Sequence, residues 1–167
     1  MSNIFLAIAI GCLLFAALND AFYRRIPNFI VASIFVLGCV YKIHAGHYCY
    51  FVVDFVPFFV ILLVGLVAFQ CRVLAGGDVK LLSVSGYLVG IQDWLVLCLW
   101  TTVFGGVLAL IILVWRLFAV LWGVVFGQRK RHPGLRQIEL PYGVAIAAAA
   151  ILLMAQQRAA GAVGVSP

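Results

Sequence analysis

The sequence has few charged residues and no closely spaced pair of cysteines. Its five cysteines occur singly, at positions 12, 39, 49, 71 and 98. Without a Cys-x-x-Cys pair, neither a zinc knuckle nor a redox dithiol is predicted. The nearest approach to a metal-binding group is His44, His47 and Cys49 in one short segment, and ordinary loop polarity accounts for it better. We therefore predict no metal site.

The shortage of charge also excludes a soluble globular protein. Only 10% of the 167 residues are charged and 66% are hydrophobic, and the mean hydropathy is +1.21. Such a composition is typical of a membrane protein with several spans, here a single domain over residues 1–167. The net charge of +6 does not indicate a nucleic-acid partner, because the basic residues occupy short loops between apolar runs.

Six apolar runs predict an all-α bundle of about six transmembrane helices. They are Ile4 to about Asp20, Phe29 to Ile43, Phe51 to Phe69, Asp78 to Ile91, Leu95 to Trp115, and Leu140 to Met154. The third is less regular, since Asp54 and Pro57 lie near its start. Beyond Arg116, the segment Leu117 to Phe126 either continues the fifth helix or lies in the membrane interface.

The distribution of basic residues predicts which side each loop faces. Arg24 and Arg25 follow the first run, which is therefore a retained span and not a signal peptide. Most other basic residues fall on the same side as these two, so both termini are predicted outside the cytoplasm. The basic cytoplasmic loop 127–139 carries Arg129, Lys130, Arg131 and Arg136. Anionic lipid headgroups are its favoured partner, ahead of a protein or nucleic acid.

Two of the five acidic residues are predicted to share one end of the bundle. Asp20 ends the first run and Asp78 begins the fourth, and the two crossings between them return the chain to the same side. Close carboxyl groups in an apolar setting tend to share one proton. Such a pair can activate water against an amide: one member takes a proton from the water and the other polarises the carbonyl. A plain interfacial turn at Gly76–Asp78 is the alternative.

The residues around the two acids suggest supporting roles. Gly76 and Gly77 have no side chains and would let a substrate backbone approach Asp78. Lys80, two positions further on, does not share a helix face with Asp78, so we expect it to reach the interface or another helix rather than take part in catalysis. Arg24 and Arg25 either stabilise the Asp20 carboxylate or only fix the topology.

Two motifs of the chain resemble the signature regions of the type IV prepilin peptidases, which are membrane aspartic proteases. The motifs are A-L-N-D-A-F-Y-R-R-I-P-N at residues 17–28 and A-G-G-D-V-K-L-L at residues 75–82. L-P-Y-G at residues 140–143 is similar to a third, weaker feature of that family. Ala75 stands where the family often has glycine, which is a mild departure.

The resemblance implies that Asp20 and Asp78 are the catalytic pair, supported by motif residues Gly76, Gly77, Lys80, Arg25, Pro27 and Asn28. It implies removal of the leader from prepilins or prepilin-like proteins at the cytoplasmic face of the bacterial inner membrane, without a cofactor. The short chain is similar to the peptidases of tight-adherence (Flp) pilus systems. It lacks the cysteine-containing insertion that long members use for N-methylation, so that activity is not expected.

Two alternatives from other functional classes remain. A small proton-coupled transporter predicts acids spread along a path across the membrane. A non-catalytic subunit of a pilus or secretion complex gives no reason for buried acids.

Overall fold

Six α-helices make up the part of the chain that the structure, a computed structural model, describes: residues 3–44, 52–125 and 141–162. They are α1 (Asn3–Tyr23), α2 (Asn28–His44), α3 (Phe55–Gln70), α4 (Gly76–Val89), α5 (Trp94–Val125) and α6 (Tyr142–Ala162). No strand occurs in these ranges. The prediction of an all-α fold is confirmed.

The turn between α1 and α2 falls where the sequence predicts it. Arg24 takes the left-handed conformation with φ of 51°, and its N–H donates to the Asp20 carbonyl at 2.9 Å. Pro27 precedes the first residue of α2 and its carbonyl accepts the N–H of Ile30 at 3.0 Å. Proline suits this position because the missing N–H would have no partner at the start of a helix.

The third predicted run is interrupted at Asp54. Val52 and Val53 are helical and Asp54 is in a turn, and α3 runs from Phe55, with Asp54 at the N-cap position and Pro57 in its first turn. The Asp54 side chain does not cap the helix; it makes tertiary contacts that are described below. Phe51 itself lies outside the described residues, as do the segment from Ala45 to Tyr50 and the predicted basic loop 127–139.

Helix α5 continues through Arg116 to Val125, so the segment after Arg116 extends the fifth helix rather than starting a separate element. Its 32 residues correspond to a length of about 48 Å. Large apolar side chains along its second half are exposed, among them Leu110, Trp115 and Phe118. A lone arginine on such a helix is tolerated because its long aliphatic stem can carry the charge to water.

Among the residues that the structure describes, three helices are by length and composition suited to crossing a membrane: α1, α5 and α6, through residues Ile4–Tyr23, Trp94–Val120 and Tyr142–Ala159. Helices α2 and α3 are apolar but shorter, and α4 has 14 residues. Six membrane crossings and the placement of the termini therefore remain predictions.

Helix α4 lies at the centre of the bundle and packs against α2, α3, α5 and α6. Most of its side chains from Asp78 to Val89 are buried. Two glycines allow this close packing: Gly65 of α3 lies against Val79, and Gly86 of α4 lies against Ile61. Small residues at such contacts let helices approach each other closely.

A buried face of α1 leads directly to one of the two predicted acids. Leu6, Ala9, Leu13 and Ala16 are all buried and follow one another at intervals of three or four residues, which is the repeat of one helix face. Asp20 is the next position on that face. It therefore points into the bundle, towards α6, against which α1 packs.

Candidate active site

The carboxyl group of Asp20 lies at the beginning of α6. Only 7% of the residue is exposed, and Oδ2 accepts the backbone N–H of Gly143 at 2.7 Å. The N–H of Val144 is also directed to this carboxyl group. The first N–H groups of a helix have no partner within the helix, and the helix dipole favours a negative charge there. Asp20 thus satisfies the first backbone N–H groups of α6.

Asp78 occupies the first turn of another helix. Ala75 is the N-cap of α4, which makes Asp78 the third helical residue, and it is 5% exposed. Its carboxyl group lies near the backbone N–H of Ala75, as an acid at this position of a capping box does. The helix dipole again favours the negative charge.

The two acids come together at one end of the bundle, near enough for the negative charge of Asp20 to influence Asp78. Each carboxyl group sits at the N-terminus of a helix, Asp20 at that of α6 and Asp78 at that of α4. This arrangement explains how an apolar bundle holds two acids so near each other. It also agrees with the sequence inference that both lie on the same side.

The arginine that follows α1 also acts on this site. The positive charge of Arg24 interacts with Asp20, which is one of the two roles that the sequence left open. Arg25 is exposed and follows it in the turn. Pro27 and Asn28 are exposed as well, at the start of α2 on the same end of the bundle.

Lys80 reaches a different helix, which was one of its two predicted alternatives. Its Nζ donates to Oδ1 of Asn28 at 3.1 Å, and the contact is exposed. Lys80 thereby joins α4 to α2 beside the two acids. The geometry assigns it a tethering contact at the rim of the site.

The glycine pair before Asp78 has room around it. A Cβ atom at Gly76 would come no nearer than 3.6 Å to Phe69, and one at Gly77 would lie 3.4 Å from Cβ of Ile26. Both are ordinary van der Waals contacts. Packing within the chain therefore does not require glycine at either position, and their predicted role in substrate approach stays a prediction.

Gly143 is the site residue that sequence reasoning missed. It was noted only as part of L-P-Y-G at the start of the last apolar run, whereas its N–H is a direct partner of Asp20. A signal was present, because the last run begins on the same predicted side as Asp20 and Asp78. The contact itself joins a side chain to a backbone group, so no pairing of side-chain types in the sequence reveals it.

Within residues 3–44, 52–125 and 141–162, no group of three His, Cys, Asp or Glu side chains could hold a metal ion. His47 and Cys49 lie outside these ranges. What the described residues bring together is a pair of buried carboxyl groups with backbone N–H donors. Such a pair is suited to exchanging protons with a third molecule between its members.

Comparison with known proteins places these residues in a family. The model of the type IV leader peptidase family matches residues 7–110, which is well over half of the 167 residues and includes both Asp20 and Asp78. No curated protein and no solved structure gives a significant match. With both acid-bearing motifs inside the matched region, the chain belongs to the type IV leader peptidase family.

Proposed function

We propose that this protein is a membrane aspartic endopeptidase that removes the leader peptide from prepilin or prepilin-like proteins, with Asp20 and Asp78 as its catalytic residues. Membership of the leader peptidase family supports the protease activity. The observation that carries the mechanism is the position of two buried acids at one end of the bundle, within reach of each other's charge. An apolar bundle gains no stability from burying like charges together, so a chemical role accounts for them best.

At the start of the reaction, the two carboxyl groups hold one proton between them, so one is ionised and the other is protonated. The ionised carboxylate takes a proton from a water molecule as the water oxygen bonds to the carbonyl carbon of the scissile peptide. The protonated carboxyl group gives its proton to the carbonyl oxygen, and a tetrahedral diol forms. The carbon–nitrogen bond then breaks, the amine nitrogen takes a proton from the first acid, and a diol hydroxyl returns one to the second. Water and a peptide bond are consumed, and a carboxylic acid and an amine are produced.

The cytoplasmic side is proposed from the charges around the site. Four exposed basic residues lie near the end of the bundle that holds the two acids: Arg24, Arg25, Arg72 and Lys80. Two other basic residues lie at the end away from the acids: Lys42 near the C-terminus of α2 and Arg158 near that of α6. Basic residues collect on the cytoplasmic side of membrane proteins. The active site then faces the cytoplasm of a bacterial inner membrane, where the leader of an unprocessed prepilin would be.

The transporter alternative is less well supported by the remaining acids. Asp54 is paired with Lys42, and Asp93 accepts a hydrogen bond from Gln157 at 2.7 Å. Both lie at the end of the bundle away from Asp20 and Asp78. Acids that are committed to such contacts do not form a path for protons along the bundle.

The test is co-expression of the full chain with a candidate prepilin and measurement of leader removal on gels. Asp20→Asn and Asp78→Asn should each lower the cleavage rate at least about a hundredfold, the range of general acid–base catalysis. In Asp20→Asn the side-chain amide oxygen would still accept the N–H of Gly143, so the fold should persist and the variant should accumulate in the membrane. Asp93→Asn is the matched control for loss of a carboxylate, because Asp93 lies at the other end of the bundle and its amide oxygen could still accept the hydrogen bond of Gln157. Cleavage by either variant at the wild-type rate would refute the proposed mechanism.

A further inference from the structure

The end of the bundle away from the two acids contains a buried ion pair. Lys42 and Asp54 are 6% and 5% exposed, and the lysine Nζ donates to Oδ2 of the carboxylate. The other oxygen, Oδ1, accepts the N–H of Ile91 at 2.7 Å. Asp54 therefore joins the end of α2 and the start of α3 to the turn that follows α4.

Two further contacts hold the same end of α4. The Lys42 ammonium lies 4.9 Å from the centre of the Tyr87 ring, within the range of a cation–π interaction. Gly90 has φ of 96°, and a Cβ atom there would lie 3.2 Å from Oδ1 of Asp54. The carboxylate of Asp54 thus contacts the backbone at the C-terminal end of α4.

Helix α6 holds this turn from the other side. Nε2 of Gln157 donates to the carbonyl of Val89 at 3.0 Å and to Oδ2 of Asp93 at 2.7 Å. The last carbonyl groups of a helix have no partner within the helix, and inside a membrane they must be satisfied by the protein. We name Lys42, Asp54 and Gln157 the distal clamp, because together they hold the C-terminal end of α4.

Stability alone is a weak reason for the distal clamp. A buried ion pair can often be replaced by apolar side chains without loss of stability, whereas directional bonds specify one arrangement among several. The neighbouring surface of α4 is lined by small residues, including the buried Ser83, Ser85 and Gly86. Such a surface permits close approach, and the attraction between apolar side chains is non-directional, so the bonds of the distal clamp supply a directional contact that the packing lacks.

The two ends of α4 are rigidly connected. Its 14 residues form a rod of about 21 Å, with the clamp at one end and Asp78 in the first turn of the other. Asp20, in contrast, is set by α6 through Gly143. Because Gln157 also belongs to α6, the clamp relates the helix that holds Asp20 to the helix that carries Asp78.

We propose that the distal clamp is a positioning device for catalysis: it fixes the axial and rotational setting of α4 so that Asp78 meets Asp20. This inference rests on the proposed function. Lys42, Asp54 and Gln157 are positioning residues, since they act through α4 and do not touch the substrate.

The kinetic test uses the purified full chain and a prepilin substrate. Gln157→Ala and Lys42→Met should each lower kcat about tenfold or more with KM changed less than twofold, because a shift of about 1 Å in a catalytic group can cost a hundredfold in rate. Ser33→Ala is the matched control, since its hydroxyl bonds within its own helix, to the carbonyl of Phe29. Wild-type kcat in Gln157→Ala, which leaves the ion pair intact, would overturn the proposal.

A rescue experiment separates the hydrogen bond from the charge. In Lys42→Met/Asp54→Asn the buried charges are both removed, while the amide oxygen still accepts the N–H of Ile91. The double variant should recover at least half of the kcat lost in Lys42→Met. A double variant no faster than Lys42→Met would show that the bond to Ile91 does not set the site, against the proposal.

A second readout needs no activity. A Cβ atom at Gly77 would lie 3.4 Å from Cβ of Ile26, which is close to the separation found in disulfides. In a chain whose five native cysteines are replaced, Ile26→Cys/Gly77→Cys should form a disulfide readily, and at least about fivefold more slowly when Gln157→Ala is added. An unchanged rate of disulfide formation would contradict the proposal. If the wild-type chain cleaves no prepilin, the proposed function fails and this measurement still decides the positioning inference.

Discussion

Gly143 lies so close to Asp20 that a Cβ atom at position 143 would stand 2.7 Å from the carboxylate Oδ2 and 2.9 Å from its Cγ. Real Cβ atoms do not come this near to other heavy atoms, so any side chain would displace the carboxyl group. The absence of a side chain lets the N–H of Gly143 and the Asp20 carboxylate meet. The start of α6 therefore belongs to the proposed active site as much as the two acids do.

Replacement of Gly143 by alanine tests this relationship. Gly143→Ala keeps the N–H donor but forces the Asp20 carboxyl group out of its present position, so we expect cleavage to fall about a hundredfold. The measurement is the rate of leader removal per amount of protein in the membrane. Gly106→Ala is the control, because no atom lies within 4 Å of the added Cβ there and alanine is the better helix former. Normal cleavage by Gly143→Ala would remove Gly143 from the site.

The glycine pair gives a prediction in which stability and activity change in opposite directions. Alanine at Gly76 or Gly77 makes only ordinary contacts with Phe69 or Ile26, and it favours the helix by up to about 1 kcal/mol. Gly76→Ala and Gly77→Ala should therefore melt at the same temperature or higher. If substrate backbone passes over these residues, kcat/KM should nevertheless fall about tenfold, mainly through KM. Unchanged kinetics in both variants would show that substrate does not need this space.

How much of this arrangement the sequence predicts depends on the range of the contact. The pairing of Asp20 with Asp78 follows from counting crossings, because the direction of the chain alternates with each helix. The contact of Asp20 with Gly143 joins a side chain to a backbone group 123 residues away, and no local pattern marks it.

The contacts of the distal clamp are likewise not predictable from local sequence patterns. From the sequence, Asp54 is only an irregularity near the start of the third run. Its partners Lys42 and Ile91 come from α2 and from the turn after α4, and only the packed bundle brings them together. The sequence leaves the length of α5 undetermined for another reason, because Arg116 interrupts the apolar pattern. An arginine whose stem carries the charge to water need not interrupt the helix itself.

Lys80 should contribute little to the reaction. Its hydrogen bond to Asn28 is exposed, and exposed charged contacts are worth at most about 1 kcal/mol. Lys80→Ala and Asn28→Ala should each lower the cleavage rate less than about fivefold, and the double variant should be no worse than either single variant. A loss of a hundredfold or more in Lys80→Ala alone would mean that the ammonium group contacts the substrate.

The contact between α3 and α4 should tolerate an added methyl group less well at Gly65 than at Gly86. A Cβ atom at Gly65 would meet Cγ1 of Val79 at 2.5 Å and its Cβ at 3.3 Å. Valine has little rotational freedom on a helix, so Gly65→Ala should destabilise the protein by about 1–3 kcal/mol, the usual range for overpacking. At Gly86, the obstructing atom is Cδ1 of Ile61, the end of a flexible side chain that can turn aside, and Gly86→Ala should cost less. Thermal unfolding in detergent measures both.

A double variant tests whether the clash with Val79 is the cause. Gly65→Ala/Val79→Ala should be more stable than Gly65→Ala alone, and equal melting temperatures for these two variants would reject the clash as the cause. Because Val79 follows Asp78 directly, Gly65→Ala should also slow cleavage, whereas Gly86→Ala, two turns further along α4, should affect stability more than rate.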